Sequence, residues 1–242
     1  MTWTLTSVAL MVIVVFALSA TPALLLLRAI WELPYTHEGA RLLAVSAAAL
    51  PAYLVFAFAL MVLSAFATRL VGWRTPADVT LRIADLDPPL LAWVRSMVVF
   101  HVVRILAGSM FRASPMWSFY LRLNGARLGR RVFVNSLAVT DHNLLEFGDD
   151  VIIGDGAHVA GHTVEDGFLK TARVRLGRGV TIGVGSVVGI GVEAGPGCRV
   201  GALSVVPKFT SLDADATYVG APVRKLGAQA PARRTEPTGA GH

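Results

Sequence analysis

Cysteine is all but missing from this chain of 242 residues. With Cys198 alone, no intrachain disulfide can form, and there is no cysteine spacing for a metal site or an activated nucleophile. Charge is scarce as well. Acidic and basic residues together make 16% of the chain and the mean hydropathy is +0.60, too apolar for an ordinary water-soluble domain. The net charge of +6 is spread out without aromatic interleaving, so no nucleic-acid-binding pattern is present. Nor does a basic cluster precede the first apolar run, which is longer than the core of a secretory signal and therefore reads as retained.

What the chain does have is long apolar runs. Ser7 to Leu27 and Leu42 to Ala67 are each long enough to cross about 30 Å of hydrocarbon at about 1.5 Å per residue. Both read as spanning helices, with Pro22 and Pro51 tolerated inside them. Arg28 and Arg41 in the connecting loop are offset by Glu32 and Glu38, whereas Arg69, Arg74 and Arg82 follow the second span. That bias places both termini in the cytoplasm. Thr75 to Pro89 is polar and bounded by proline, as a linker would be. Leu90 to Met110 is apolar but holds Arg95, His101 and Arg104, so an amphipathic helix at the bilayer surface or packed on the next domain is expected. Arg122, Arg127, Arg130 and Arg131 cluster beyond it as surface charge that could meet a membrane lipid head group.

From Leu128 to Tyr218 an aliphatic or aromatic residue recurs at a step of six. The clearest run is Leu176, Ile182, Val188, Ala194, Val200, Val206, Leu212 and Tyr218, with glycine directly after the first five. Helices repeat near 3.6 and half-exposed strands at 2, so neither gives this period. Hexapeptide repeats of this kind form parallel β-helices, in which stacked coils bury one apolar column. The fold class expected is therefore a β solenoid, a parallel β-helix of hexapeptide repeats, preceded by two transmembrane helices and an amphipathic helix.

The register fails twice. One extra residue enters between Thr140 and Glu146, and a longer excursion separates Val159 from Leu176. Insertions in a solenoid extrude loops that carry function. His162 stands where the long loop departs, and counting the insertion sets His142 beside it on the neighbouring coil, about 4.8 Å away at the backbone. A histidine there suits a general base at neutral pH, and Glu165 is near enough in sequence to orient its ring. His158, at a corner, is expected to be exposed.

These features resemble the hexapeptide-repeat acyltransferase superfamily. The resemblance rests on the repeat, on the loop leaving after Gly161-His162, and on the closing Tyr218-Val-Gly-Ala-Pro-Val-Arg-Lys225, with Val223 where the family usually has alanine. Leu144 to Asp149, His162 to Lys170 and Gly201 to Lys208 are also similar to the membrane-linked C-terminal units of nonribosomal peptide synthetases of the poly-lysine synthetase type. The likeness runs from about Leu121 to Leu226, and without adenylation or carrier segments the chain is expected to be a standalone relative. It implies a left-handed coil, a homotrimer with sites between subunits, and transfer of an acyl, aminoacyl or peptidyl group from acyl-CoA or a carrier-bound phosphopantetheine thioester to a hydroxyl or amine. No tightly bound cofactor is implied. The catalytic candidates are His162, Glu165 and His142. Asn143, Asp166, Lys170, Gly201, Ala202 and Lys208 are the candidates for contacting substrate.

Two other classes remain open on sequence. One is a non-catalytic, membrane-anchored trimeric module of a peptide biosynthetic system. The other is a metal site of the γ-carbonic-anhydrase type, invited by His142, His158 and His162, although their spacing differs from that family's. The expected organisation is a membrane hairpin over 1–74, a linker and interfacial helix over 75–120, the β-helix over 121–226 and a disordered tail over 227–242. The β-helix is expected in the cytoplasm, at the cell membrane.

Overall fold

The structure is a computed structural model that describes the backbone from Thr2 to Gly227 and the side chains from Thr6 onward; the expected tail, apart from Gly227, lies outside the described residues. Four helices come first. Helix α1 spans Thr2–Trp31 and α2 spans Glu38–Leu70, with Pro22 and Pro51 inside them. Helix α3 covers Pro88–Val103 and continues through a π turn at Arg104–Gly108 into a last α turn, Ser109–Phe111. Helix α4, Pro115–Leu123, leads into the β-helix.

Three helices are long and apolar enough to cross a membrane: Thr6–Trp31, Glu38–Leu70 and Pro88–Phe111. The third is the one expected to lie on the surface. Its polar residues find partners along its own length and across from it, which lowers the cost that composition alone assigns to them. Arg104 Nη2 lies 3.0 Å from His101 Nδ1, and the Arg95 guanidinium sits 5.4 Å from the Trp73 ring centre. The helix also packs on the solenoid, as described below for Trp93 and Phe100.

The β-helix has three walls of short parallel strands. On one wall Thr181 pairs with Arg199 and Arg199 with Thr217, a step of eighteen residues per coil. On the second, Val187 pairs with Val205, and on the third Glu193 pairs with Ser211. Within each strand pair the repeat residue points inward: Ile182, Val188, Ala194, Val200, Val206 and Leu212 are all buried. Cys198 is fully buried among them, as its core position required. The glycine behind each aliphatic residue has a steric cause. A Cβ on Gly183 would stand 2.4 Å from the Ala202 backbone nitrogen of the next coil, so only hydrogen fits at this stacking distance.

The two register breaks appear where the count fails. Arg127 pairs with Glu146 and Phe133 with Ile152, one residue more than a regular coil. Arg175 pairs with Glu146 and Val187 with His158, because the chain leaves the solenoid between them. The excursion is a β-hairpin of His162–Glu165 against Phe168–Thr171. A third strand joins it. Thr80–Arg82, within the stretch that reads as a linker, pairs antiparallel with Phe168–Lys170, so this segment is structured and clasps the hairpin from outside. Leu169 is fully buried in the resulting sheet.

Candidate active site

The inserted residue near Thr140 does something local that a repeat count does not reveal. Asp141 takes a left-handed backbone, φ 54° and ψ 48°, and starts a short 3-10 turn at His142–Leu144. Aspartate tolerates that conformation better than most residues. The turn directs the Asp141 carboxylate toward the neighbouring coil and the His142 ring the other way.

Asp141 is 1% exposed, and its carboxylate accepts five hydrogen bonds. Oδ1 receives Thr75 Oγ1 at 2.8 Å and the Trp93 indole N–H at 3.3 Å. Oδ2 receives Thr140 Oγ1 at 3.0 Å, the Gly161 backbone N–H at 3.1 Å and His162 Nδ1 at 2.5 Å. Burial alone would raise the pKa of this carboxyl, but the His162 bond and charge, with the Thr75 and Thr140 hydroxyls, outweigh burial and hold it below the ordinary carboxylate value. The carboxylate therefore stays ionised, and a hydrogen bond from Nδ1 leaves Nε2 as the ring's free basic nitrogen. The His162 side chain is 23% exposed, and the Trp93 ring meets it edge-on at 5.1 Å between centres.

The structure thus brings His162 together with a carboxylate, but the carboxylate is Asp141, not Glu165. Glu165 faces away from the ring along the hairpin and accepts from Lys170 at 2.9 Å and from Lys208. The Lys208 and then the Lys170 ammonium groups hold the Glu165 carboxyl at about 2. His142 does not project beside His162 either. It is buried, with Nε2 3.1 Å from the Val139 carbonyl and its ring 4.6 Å from Phe100 and 5.8 Å from Tyr120, and desolvation pushes its pKa down to about 4. Its partners are aromatic because α3 and α4 cap the first coil there. His158 is exposed, as its corner position predicts, and its pKa is lowered by partial burial and by the nearby His162.

Asn143 lies close behind, its side-chain amide donating to the Thr75 carbonyl at 2.8 Å. Asp166 sits exposed at the hairpin tip with φ 53°. Gly201 and Ala202 lie at a solenoid corner stacked on Gly183, and Lys208, at the next corner beyond Val205–Val206, reaches Glu165. Among the described residues no group of three histidine, cysteine, aspartate or glutamate side chains is placed to hold a metal ion. For His142 the reason is plain, since its ring is committed to the aromatic cluster.

A six-residue strand period on three parallel walls, interrupted by one extruded hairpin, decides the fold. The chain is a parallel β-helix of hexapeptide repeats. No family model matches it. Among curated proteins, a delta-poly-L-ornithine synthetase of Acinetobacter baumannii is 25% identical over 111 residues, which are 46% of this chain and 8% of that protein. The chain therefore spans less than a tenth of that relative's length. Among solved structures, the N-acyltransferase AntD of Bacillus cereus, in complex with dTDP and coenzyme A, is similar at 26% identity over 44% of this chain and 61% of that one, with a TM-score of 0.35. Galactoside acetyltransferase in complex with coenzyme A is 20% identical over 46% of this chain and 69% of its own, TM-score 0.38. Serine acetyltransferase from Brucella abortus is 16% identical over 88% of this chain and 67% of its own, TM-score 0.38. All three are acyltransferases.

Proposed function

We propose that this chain is a membrane-anchored acyltransferase in which His162 is the general base and Asp141 is its positioning residue. The observation that supports it is the Asp141–His162 pair at 2.5 Å, formed where the chain leaves the β-helix. Asp141 fixes the tautomer and stabilises the imidazolium, as the buried aspartate does behind the histidine of a Ser-His-Asp triad. Nε2 takes the proton from an acceptor hydroxyl or amine as that atom bonds to the carbonyl carbon of a CoA or phosphopantetheine thioester. Collapse of the tetrahedral adduct breaks the carbon–sulfur bond, and the imidazolium returns its proton to the departing thiolate. The reaction needs no redox partner.

Under the same reading the three apolar helices anchor the enzyme in the membrane, and copies assemble as a homotrimer. Gly201 and Ala202 at one corner and Lys208 at the next then flank the Val205–Val206 strand along which the donor arm is laid, and Lys170 reinforces it from the hairpin. The test is thiol release from acetyl-CoA and longer acyl-CoA, with amine and hydroxyl acceptors, by the full chain in detergent. His162→Ala is expected to reduce transfer by about 10²–10⁴-fold with the fold retained. Undiminished transfer by a folded His162→Ala variant overturns the mechanism. An intact trimer with no affinity for acyl-CoA or a loaded carrier favours the non-catalytic module instead.

A further inference from the structure

Past the end of α2 the chain turns through Gly72 to Thr75, and a cleft of about 830 Å³ opens there between α2, α3 and the first coil of the β-helix. Four guanidinium groups line it: Arg69, Arg74, Arg127 and Arg173. The acidic side chain in its wall is Asp141, whose carboxylate is already filled by the five donors described above. Arg127 and Arg173 share Glu146 at 3.1 and 3.2 Å, and Arg173 also meets Asp78 at 3.4 Å. The other two are uncompensated. Arg69 makes one 3.5 Å contact with the Leu123 carbonyl, and Arg74 has no hydrogen bond or ion pair among the described residues. The cleft therefore carries an excess of positive charge.

Its remaining wall is apolar and aromatic, with Trp73, Met97 and Phe100 facing the same space. Trp73, Arg69 and Arg74 follow directly on the apolar run of α2, which is where tryptophan and arginine collect at a bilayer surface. Guanidinium forks match phosphate oxygens in pairs, which a lysine cannot do. We infer that this cleft binds the phosphate of an anionic membrane lipid, with Arg69 and Arg74 as its principal ligands. The inference rests on reading α2 as a membrane span. It is independent of what His162 does.

The experiment uses the full chain purified in a neutral maltoside detergent, with phosphatidic acid, phosphatidylglycerol or phosphatidylcholine added and bound lipid counted by native mass spectrometry. The two anionic lipids are expected to be retained at least tenfold more tightly than phosphatidylcholine. Arg69→Gln with Arg74→Gln is expected to abolish that preference, whereas Arg199→Gln, on the β-helix outside the cleft, preserves it. Should the double variant fail to fold, Arg74→Gln alone serves, because that side chain is exposed and has no internal partner; a loss of at least threefold is expected. Equal retention of the three lipids, or an unchanged preference in the variants, overturns the proposal. Displacement of phosphatidic acid by equimolar coenzyme A or inorganic phosphate also overturns it, by making the cleft a soluble-anion site. Alkaline extraction of membranes separates the two failures. A chain released by alkali contradicts the membrane reading, and a chain that stays but does not discriminate lipids contradicts only the cleft.

Discussion

Asp141 and His142 are adjacent in sequence and opposite in consequence, and a single left-handed residue separates their fates. Asp141 turns toward His162 and becomes a buried, fully hydrogen-bonded carboxylate, whereas His142 turns toward Phe100 and Tyr120. Asp141→Asn keeps the shape but offers an amide that can hold the ring in the other tautomer. Transfer is expected to fall by about 10²–10⁴-fold, and the shape of the pH–rate profile to change. A loss of stability alone would leave the profile where it was. His142 makes a separate prediction. Its folded pKa of about 4 lies below the unfolded value of about 6.5, so the unfolded chain binds more protons between these pH values and stability declines as pH falls through that window. The decline is at most about 3 kcal/mol. Melting temperature in detergent, measured from pH 7 to pH 4, is expected to show it, and His142→Gln to flatten it. Asp141, whose pKa is depressed, adds its own loss only below the ordinary carboxylate range. The sequence named His162 as the candidate base and paired it with Glu165, whereas the ring contacts Asp141. Proximity in sequence was the wrong guide, because Lys170 and Lys208 compete for Glu165 and stacking of coils brings Asp141 across instead. The available signal was an acid inside the one-residue insertion, next to a histidine already suspected.

Among elements, the β-helix was legible because each block repeats the same two constraints, an inward aliphatic residue and a glycine pressed against the next coil. Gly183→Ala tests the second. Its Cβ would overlap backbone rather than a movable side chain, so the variant is expected to unfold at lower denaturant than the parent, a cost of about 1–3 kcal/mol. The hairpin carries no repeat, and its outer partner, Thr80–Arg82, is three residues long and nearly ninety residues away in sequence. Period and propensity have nothing to say about such a pairing, which is why the segment read as a linker. Leu169 is the apolar centre of that small sheet. Leu169→Ala is expected to cost about 2–5 kcal/mol locally and to expose Phe168–Thr171 to limited proteolysis before the coils are attacked. Cleavage of the coils first would show that the sheet is not an independent weak point. Helix α3 was legible as apolar with scattered charge, but its contact face was not, since Trp93 and Phe100 declare their partners only once the first coil is in place.

For the molecule as a whole, composition announced the apolar N-terminal half and periodicity the β-helix, and the two were read as separate parts. The structure ties them. Thr75 donates to Asp141, Trp93 touches both Asp141 and His162, and the strand at Thr80–Arg82 clasps the hairpin. Three of the groups around the proposed base thus come from residues that precede the β-helix. Expression of residues 121–226 alone, the natural cut by composition, is expected to give coils that keep their β-structure by circular dichroism while His162 loses its ordered environment, read as a changed imidazole resonance and pKa by NMR. A site unaltered in that fragment would mean the N-terminal half is dispensable to it. The clasping strand has one further implication, for motion. Under the proposed reading of α2 and α3 as membrane spans, a tilt of one against the other would be passed through Thr80–Arg82 to the hairpin that begins at His162. Bilayer thickness and lateral pressure would then reach the proposed base along a tether three residues long.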